Sequence, residues 1–97
     1  MSFERRSGAG WATHPGEILQ KEFLKPLKIS KYALAKALGV TPQRIGDITL
    51  KRSGISAEIA ILLAKAFGTT PEFWMNMQVM HDLSVKRPTE TIKAFAR

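Results

Sequence analysis

The chain has 97 residues, 44% of them hydrophobic and 24% charged, which suits one small domain with a packed core. It contains no cysteine, so a disulfide framework and every thiolate metal site are excluded. Its 15 basic residues oppose 8 acidic ones for a net charge of +7, and no apolar run suits a signal peptide or a membrane span. The expectation is a soluble, cytoplasmic protein with no membrane partner.

The excess charge is unevenly placed. Residues 28–52 carry Lys28, Lys31, Lys36, Arg44, Lys51 and Arg52 against Asp47 alone, a balance of +5. Residues 53–85 set Lys65 against Glu58, Glu72 and Asp82. A positive stretch beside a mildly negative one suits a polyanion partner, and it equally suits a solvated face that serves solubility.

In chain order the signals are all helical, with no alternating pattern and no repeat. His14-Pro15-Gly16 opens a first helix whose stripe is Ile18, Leu19, Phe23 and Leu24, and Pro26 is expected to end it. Ser30 caps a second, Lys31–Leu38, which Gly39 stops in the left-handed conformation. Thr41 caps a third, with Pro42 at its first position and Ile45 and Ile48 facing inward. Ser56 caps a fourth, AEIAILLAKAF, apolar almost all round and therefore expected in the middle of the domain; Gly68 stops it. Thr70-Pro71 starts a fifth, on which Phe73, Met77, Met80 and Leu83 are expected to cover the fourth. The domain runs over 14–85, between a flexible N-terminal tail at 1–13 and a basic C-terminal tail at 86–97, where Trp11 and Phe95 hint at docking.

The stretch ALAKALGVTPQRIGDI explains the arrangement. Helix, short glycine-containing turn, helix is the helix-turn-helix, whose second helix leaves at a steep angle and can enter the major groove. The expected fold is thus all-α, a five-helix lambda-repressor-like helix-turn-helix domain bound to double-stranded DNA. On the outward face, Gln43 suits adenine, Arg44 suits guanine, and the Thr41 hydroxyl can meet a base or a phosphate. Asp47 can accept from a cytosine amine or pair with Arg44 or Lys51 along its helix. Lys31, in the first turn of the second helix, and Lys51 and Arg52, after the third, are expected at phosphates.

These residues lead to a resemblance. HPGEIL, EFLKPLKIS, ALAKALGV and GISAEIAILLAKAFGTTPEFWMNMQ, over about 14–85, resemble the HigA-type antitoxins, small regulators of the Xre class; the PEFWxNxQ pattern at 71–78 is the most specific part. The resemblance implies a dimer that binds the operator of its own toxin–antitoxin operon and neutralises a RelE-like ribonuclease toxin by direct binding. It places Thr41, Gln43 and Arg44 on the base-reading surface and Arg52 on the basic loop. The chain departs from the family at Gly46, where asparagine is common, and at Lys51, where glycine is common. Relatives also occur without a toxin gene, so a solitary Xre-type regulator stays open, as does a protein-interaction module that binds no DNA.

On the fifth helix, Met75 and Val79 lie on a second side and Trp74 on a third. A homodimer with Trp74, Met75, Gln78 and Val79 at its interface uses these faces; one irregular core is the alternative. No enzyme constellation can be built. His14 and Glu17 lack a third ligand, and a histidine before Pro-Gly reads as a cap. His81-Asp82 reads as a surface pair, and there is no phosphate-cradling glycine loop. No catalytic residue, metal or cofactor is expected. RNA is the weaker polyanion, because Tyr32 is the only aromatic in the basic segment.

Overall fold

His14 opens the first helix with its own ring: Nδ1 accepts from the Gly16 backbone N–H at 2.8 Å. The computed structural model describes residues 12–86 together with Phe95; readings that fall on 1–11, 87–94 and 96–97, Trp11 among them, lie outside the described residues. Helix α1 spans 15–27, α-helical over Pro15–Ile18, π-helical over Leu19–Leu24 and α-helical again over Lys25–Leu27. Pro26 does not end it as expected. The π-helical stretch shifts the ladder, so that Lys25 donates to Gln20 five residues back, and Pro26 falls in the first turn of the resumed α segment. In such a first turn a missing N–H breaks nothing. The stop comes at Lys28, left-handed with φ 58°, where Ile29 N–H closes onto the Leu24 carbonyl at 2.9 Å.

The other four helices carry the caps their sequences announce. Helix α2 (Lys31–Leu38) is capped by Ser30, α3 (Pro42–Thr49) by Thr41, α4 (Ala57–Phe67) by Ser56 and α5 (Pro71–Val85) by Thr70. Each hydroxyl accepts from the N–H three residues on, at 3.0 to 3.2 Å. Removing one such cap typically costs about 1 kcal/mol.

Helix α4 packs on α2 and α5, and its Ile59, Ala60, Leu63 and Ala64 are buried. The central position expected of it is kept, with Ile61 as its one large apolar residue left exposed. The core also takes Leu19 and Leu24 from α1, Leu34, Ala35 and Leu38 from α2, and Ile45 and Ile48 from α3.

Helix α5 turns the other way from the expected one. Trp74 is fully buried and Met77 packs against the core, while Phe73, Met80 and Leu83 are exposed. Trp74 is therefore a core residue and not an interface residue. Its polar edge is accommodated because Nε1 donates to Thr69 Oγ1 at 2.8 Å, and buried Ser84 likewise donates to the His81 carbonyl at 2.7 Å. Gln78, also expected at the dimer contact, is turned inward: Oε1 accepts from Ile55 N–H at 2.7 Å and Nε2 donates to Asp82 at 2.9 Å. Met75 packs at the core edge, and Val79 is half exposed.

The N-terminal turn of α1 is joined to α5 by a histidine pair. The His14 and His81 rings meet edge to face at 4.7 Å, and His81 Nδ1 lies 3.0 Å from the Ala12 carbonyl. Ala12, expected in the flexible tail, is thus tied to the domain. Burial, then His81, then Lys51, hold the His14 imidazole below its ordinary pKa, against the opposite pull of Asp82 and Glu17. A folded-state pKa depressed in this way makes the unfolded chain bind more protons. Stability is then complete above about pH 6.5 and falls as the pH drops below it. The urea midpoint should decline across that range, and His14→Asn, which can cap without titrating, should flatten the decline. An equal decline in the variant would assign it to other groups.

Candidate nucleic-acid interface

The site is built on α3, which rests on α2 and on the first turn of α1. The close approach of α2 and α3 is made by Ala35, 1% exposed, and by the turn between them. There Val40 N–H bonds the Ala35 carbonyl at 3.0 Å and Gly39 N–H bonds that of Lys36 at 3.3 Å, with Gly39 at φ 76°. This double closure needs a left-handed residue at its centre, which glycine supplies without a steric penalty. Ile45 and Ile48 are completely buried, so the direction of α3 is set by the core and its opposite side is left to solvent.

On that side Gln43 is exposed, and among the described residues no hydrogen bond ties its amide. The Thr41 oxygen accepts from Arg44 N–H at 3.1 Å, so its hydroxyl proton remains available to an acceptor. Arg44 leans across to α4, where Nη2 donates to Ser56 Oγ at 3.2 Å. One bond of five restrains the guanidinium, and among the described residues its other N–H groups have no partner. Asp47 is paired within the chain, though not with the partner expected along its own helix. Its carboxylate accepts from Arg52 at 3.2 Å (Nε) and 3.0 Å (Nη2) rather than pairing with Arg44 or Lys51. The cause is the exit turn of α3, which brings Arg52 N–H onto the Asp47 carbonyl at 2.8 Å and folds its side chain back. Asp47 thus orients Arg52.

Lys51 occupies the left-handed centre of that exit turn at φ 65°, the conformation in which glycine is favoured. Its ammonium lies 3.5 Å from Glu17 of α1, which also holds Lys21 at 2.6 Å. The Glu17 carboxyl is held below the usual range, by Lys21 first and Lys51 second. These pairs are exposed and contribute little stability; their effect is to hold basic groups beside α3. Lys51→Gly should raise stability by about 1 kcal/mol by relieving the left-handed strain. The same change should weaken DNA binding on every sequence and flatten its salt dependence. Thermal melts and salt titrations check the two halves, and a destabilised variant would contradict the strain.

Ser56 and Glu17, which position Arg44 and Lys51, carry no signal for this in the sequence. Gly16 has a partial one, as a glycine at a helix start: a Cβ there would fall 1.8 Å from the Ile48 carbonyl oxygen, so only glycine lets α1 meet the end of α3. Among the described residues no group of three or more histidine or acidic side chains could hold a metal. No described helix is long and apolar enough to cross a membrane.

A buried-faced helix set by a glycine turn, with polar and basic groups on its open side, defines a helix-turn-helix regulator. Residues 20–74 match the helix-turn-helix family. Virulence-associated protein I of Dichelobacter nodosus is 49% identical over 74 residues, 76% of this chain and 68% of that protein. Antitoxin HigA-1 of Vibrio cholerae is 44% identical over 68 residues, 70% of this chain and 64% of that one. A solved structure of the Pseudomonas aeruginosa antitoxin HigA with the higBA promoter is similar at TM-score 0.72 and 48% identity, over 73% of this chain and 77% of that one. The chain spans about two thirds of the length of these curated relatives. It belongs to the helix-turn-helix family and, within it, to the HigA-type antitoxins, which are DNA-binding regulators and not enzymes.

Proposed function

We propose that this protein is a cytoplasmic antitoxin–repressor, which binds the operator of its own toxin–antitoxin operon and neutralises a RelE-like ribonuclease toxin by direct binding. The observation that carries the DNA half is the division of α3, with Ile45 and Ile48 fully buried and Thr41, Gln43 and Arg44 left beside the basic exit turn of Lys51 and Arg52. Gln43 and Arg44 read bases, Thr41 meets a base or phosphate, and Arg52, steadied by Asp47, holds the backbone together with Lys51. The relative from Pseudomonas aeruginosa, solved with its promoter, supports the same use of this fold. The toxin half is supported by the relatives that are antitoxins by name.

The working unit is a homodimer that presents two copies of α3 to successive major grooves, roughly 34–36 Å apart on a palindromic site. With Trp74 and Gln78 internal, the interface belongs to the exposed outer side of α5, where Val79 and Leu83 stand 49% and 61% exposed beside Met80. One experiment tests the reading. The chain is coexpressed with the adjacent small open reading frame and assayed on the upstream promoter. Coelution, a promoter shift that falls steeply with salt and a loss of about 1–3 kcal/mol for Arg44→Ala are expected. Promoter binding without a copurifying neighbour would remove the toxin half. Equal loss for Arg44→Ala on operator and random DNA would remove its base-reading role.

A further inference from the structure

Position 46 lacks the side chain that a base contact would need, and the structure fills that space from another helix. Lys31, the first residue of α2, runs along α3: its Cδ and Nζ approach within 3.8 and 3.5 Å of the point a Cβ on Gly46 would occupy. Gly46 is buried although Gln43 and Asp47, its neighbours on the open side of α3, are not. The Lys31 ammonium also lies 5.4 Å from the centre of the Tyr32 ring, within cation–π range. Among the described residues no carboxylate pairs with it, and its three N–H donors have no acceptor there.

We infer that Lys31 is a base-reading residue: Gly46 is the seat that brings its ammonium onto the reading face of α3, where it donates to O6 and N7 of a guanine. The inference rests on α3 entering the major groove, as proposed above. A lysine offers donors only, and guanine presents two adjacent acceptors there, whereas adenine and thymine each present one. An ammonium carried over α3 lies where base edges pass, while phosphates flank the groove. The first turn of α2 by itself suggests a phosphate contact for Lys31; the path of the side chain along α3 is what reassigns it. The distances also grade the substitutions. Alanine at position 46 would meet Nζ at an ordinary contact distance, whereas asparagine would extend into the space the ammonium fills.

The test is a binding titration of wild-type protein, Lys31→Ala, Gly46→Ala and Gly46→Asn on the operator, on duplexes with each base pair changed in turn, and on random DNA. Circular dichroism verifies that each variant is folded. Lys31→Ala should weaken operator binding roughly tenfold and abolish the preference at one G·C pair, with little change on random DNA. Gly46→Ala should keep that preference, and Gly46→Asn should lose it. Equal weakening of all duplexes by Lys31→Ala would make it a phosphate contact, and retention of the preference by Gly46→Asn would remove the seat; either result overturns the inference while leaving the groove reading intact. A wild-type protein that binds no duplex would overturn both.

Discussion

Trp74→Ala is expected to remove about 3–5 kcal/mol of stability, the largest loss from a single side chain in this domain. The indole is fully buried and packs between the Phe23 ring, 5.2 Å away, and the Phe73 ring, 5.0 Å away and nearly perpendicular. Truncation would open a cavity among α1, α4 and α5 and break the bond from Nε1 to Thr69. Against a total of roughly 5–15 kcal/mol for a domain, such a loss leaves the fold marginal. Urea denaturation should show a sharply lowered midpoint or no cooperative transition. Leu83→Glu is the contrasting case, because Leu83 is 61% exposed. It should keep the wild-type midpoint and halve the mass in sedimentation. A well-folded, monomeric Trp74→Ala would contradict the burial and return the residue to the interface.

Gly16→Ala is expected to cost about 3 kcal/mol or more. The added Cβ would sit 1.8 Å from the Ile48 carbonyl oxygen, and the obstacle is backbone, which cannot rotate aside. Relief requires α1 and the end of α3 to separate. The damage should therefore extend to function: the exit turn that carries Lys51 and Arg52 begins at that carbonyl, which accepts from Lys51 N–H at 3.0 Å. Thermal melts should show the loss, and operator binding measured well below the melting point should be weakened as well. Wild-type stability in this variant would mean that the two helices have room to part. Gly46→Ala is the control for helix glycines in general, since no backbone lies near its Cβ position and it should be neutral or stabilising.

What was legible in the sequence was local. Caps, stops and turn are written in two or three neighbouring residues each: a hydroxyl before a helix, a proline at its first position, a glycine after its last. The four hydroxyl-capped helices start where Ser30, Thr41, Ser56 and Thr70 place them. The direction of α3 was equally legible, because Ile45 and Ile48 are its only large apolar side chains and must face inward. Pro26 misleads because its effect depends on the hydrogen-bond ladder around it, and the π-helical stretch ahead of it has no local signature.

Only the tertiary structure could orient α5. That helix is apolar on several sides, so hydrophobic periodicity does not choose which one meets the core. The choice is made by distant groups: Thr69 for the Trp74 N–H, and Ile55 and the space above Gly54 for Gln78. The same holds for the fine structure of the interface. Arg44 at Ser56, Lys51 at Glu17 and Lys31 over Gly46 join residues 12, 34 and 15 positions apart. The physical reason is range. A helix cap is completed within one turn of its own residue, so its chemistry is written in the adjacent sequence, whereas a side chain that reaches another helix depends on packing that brings the two together.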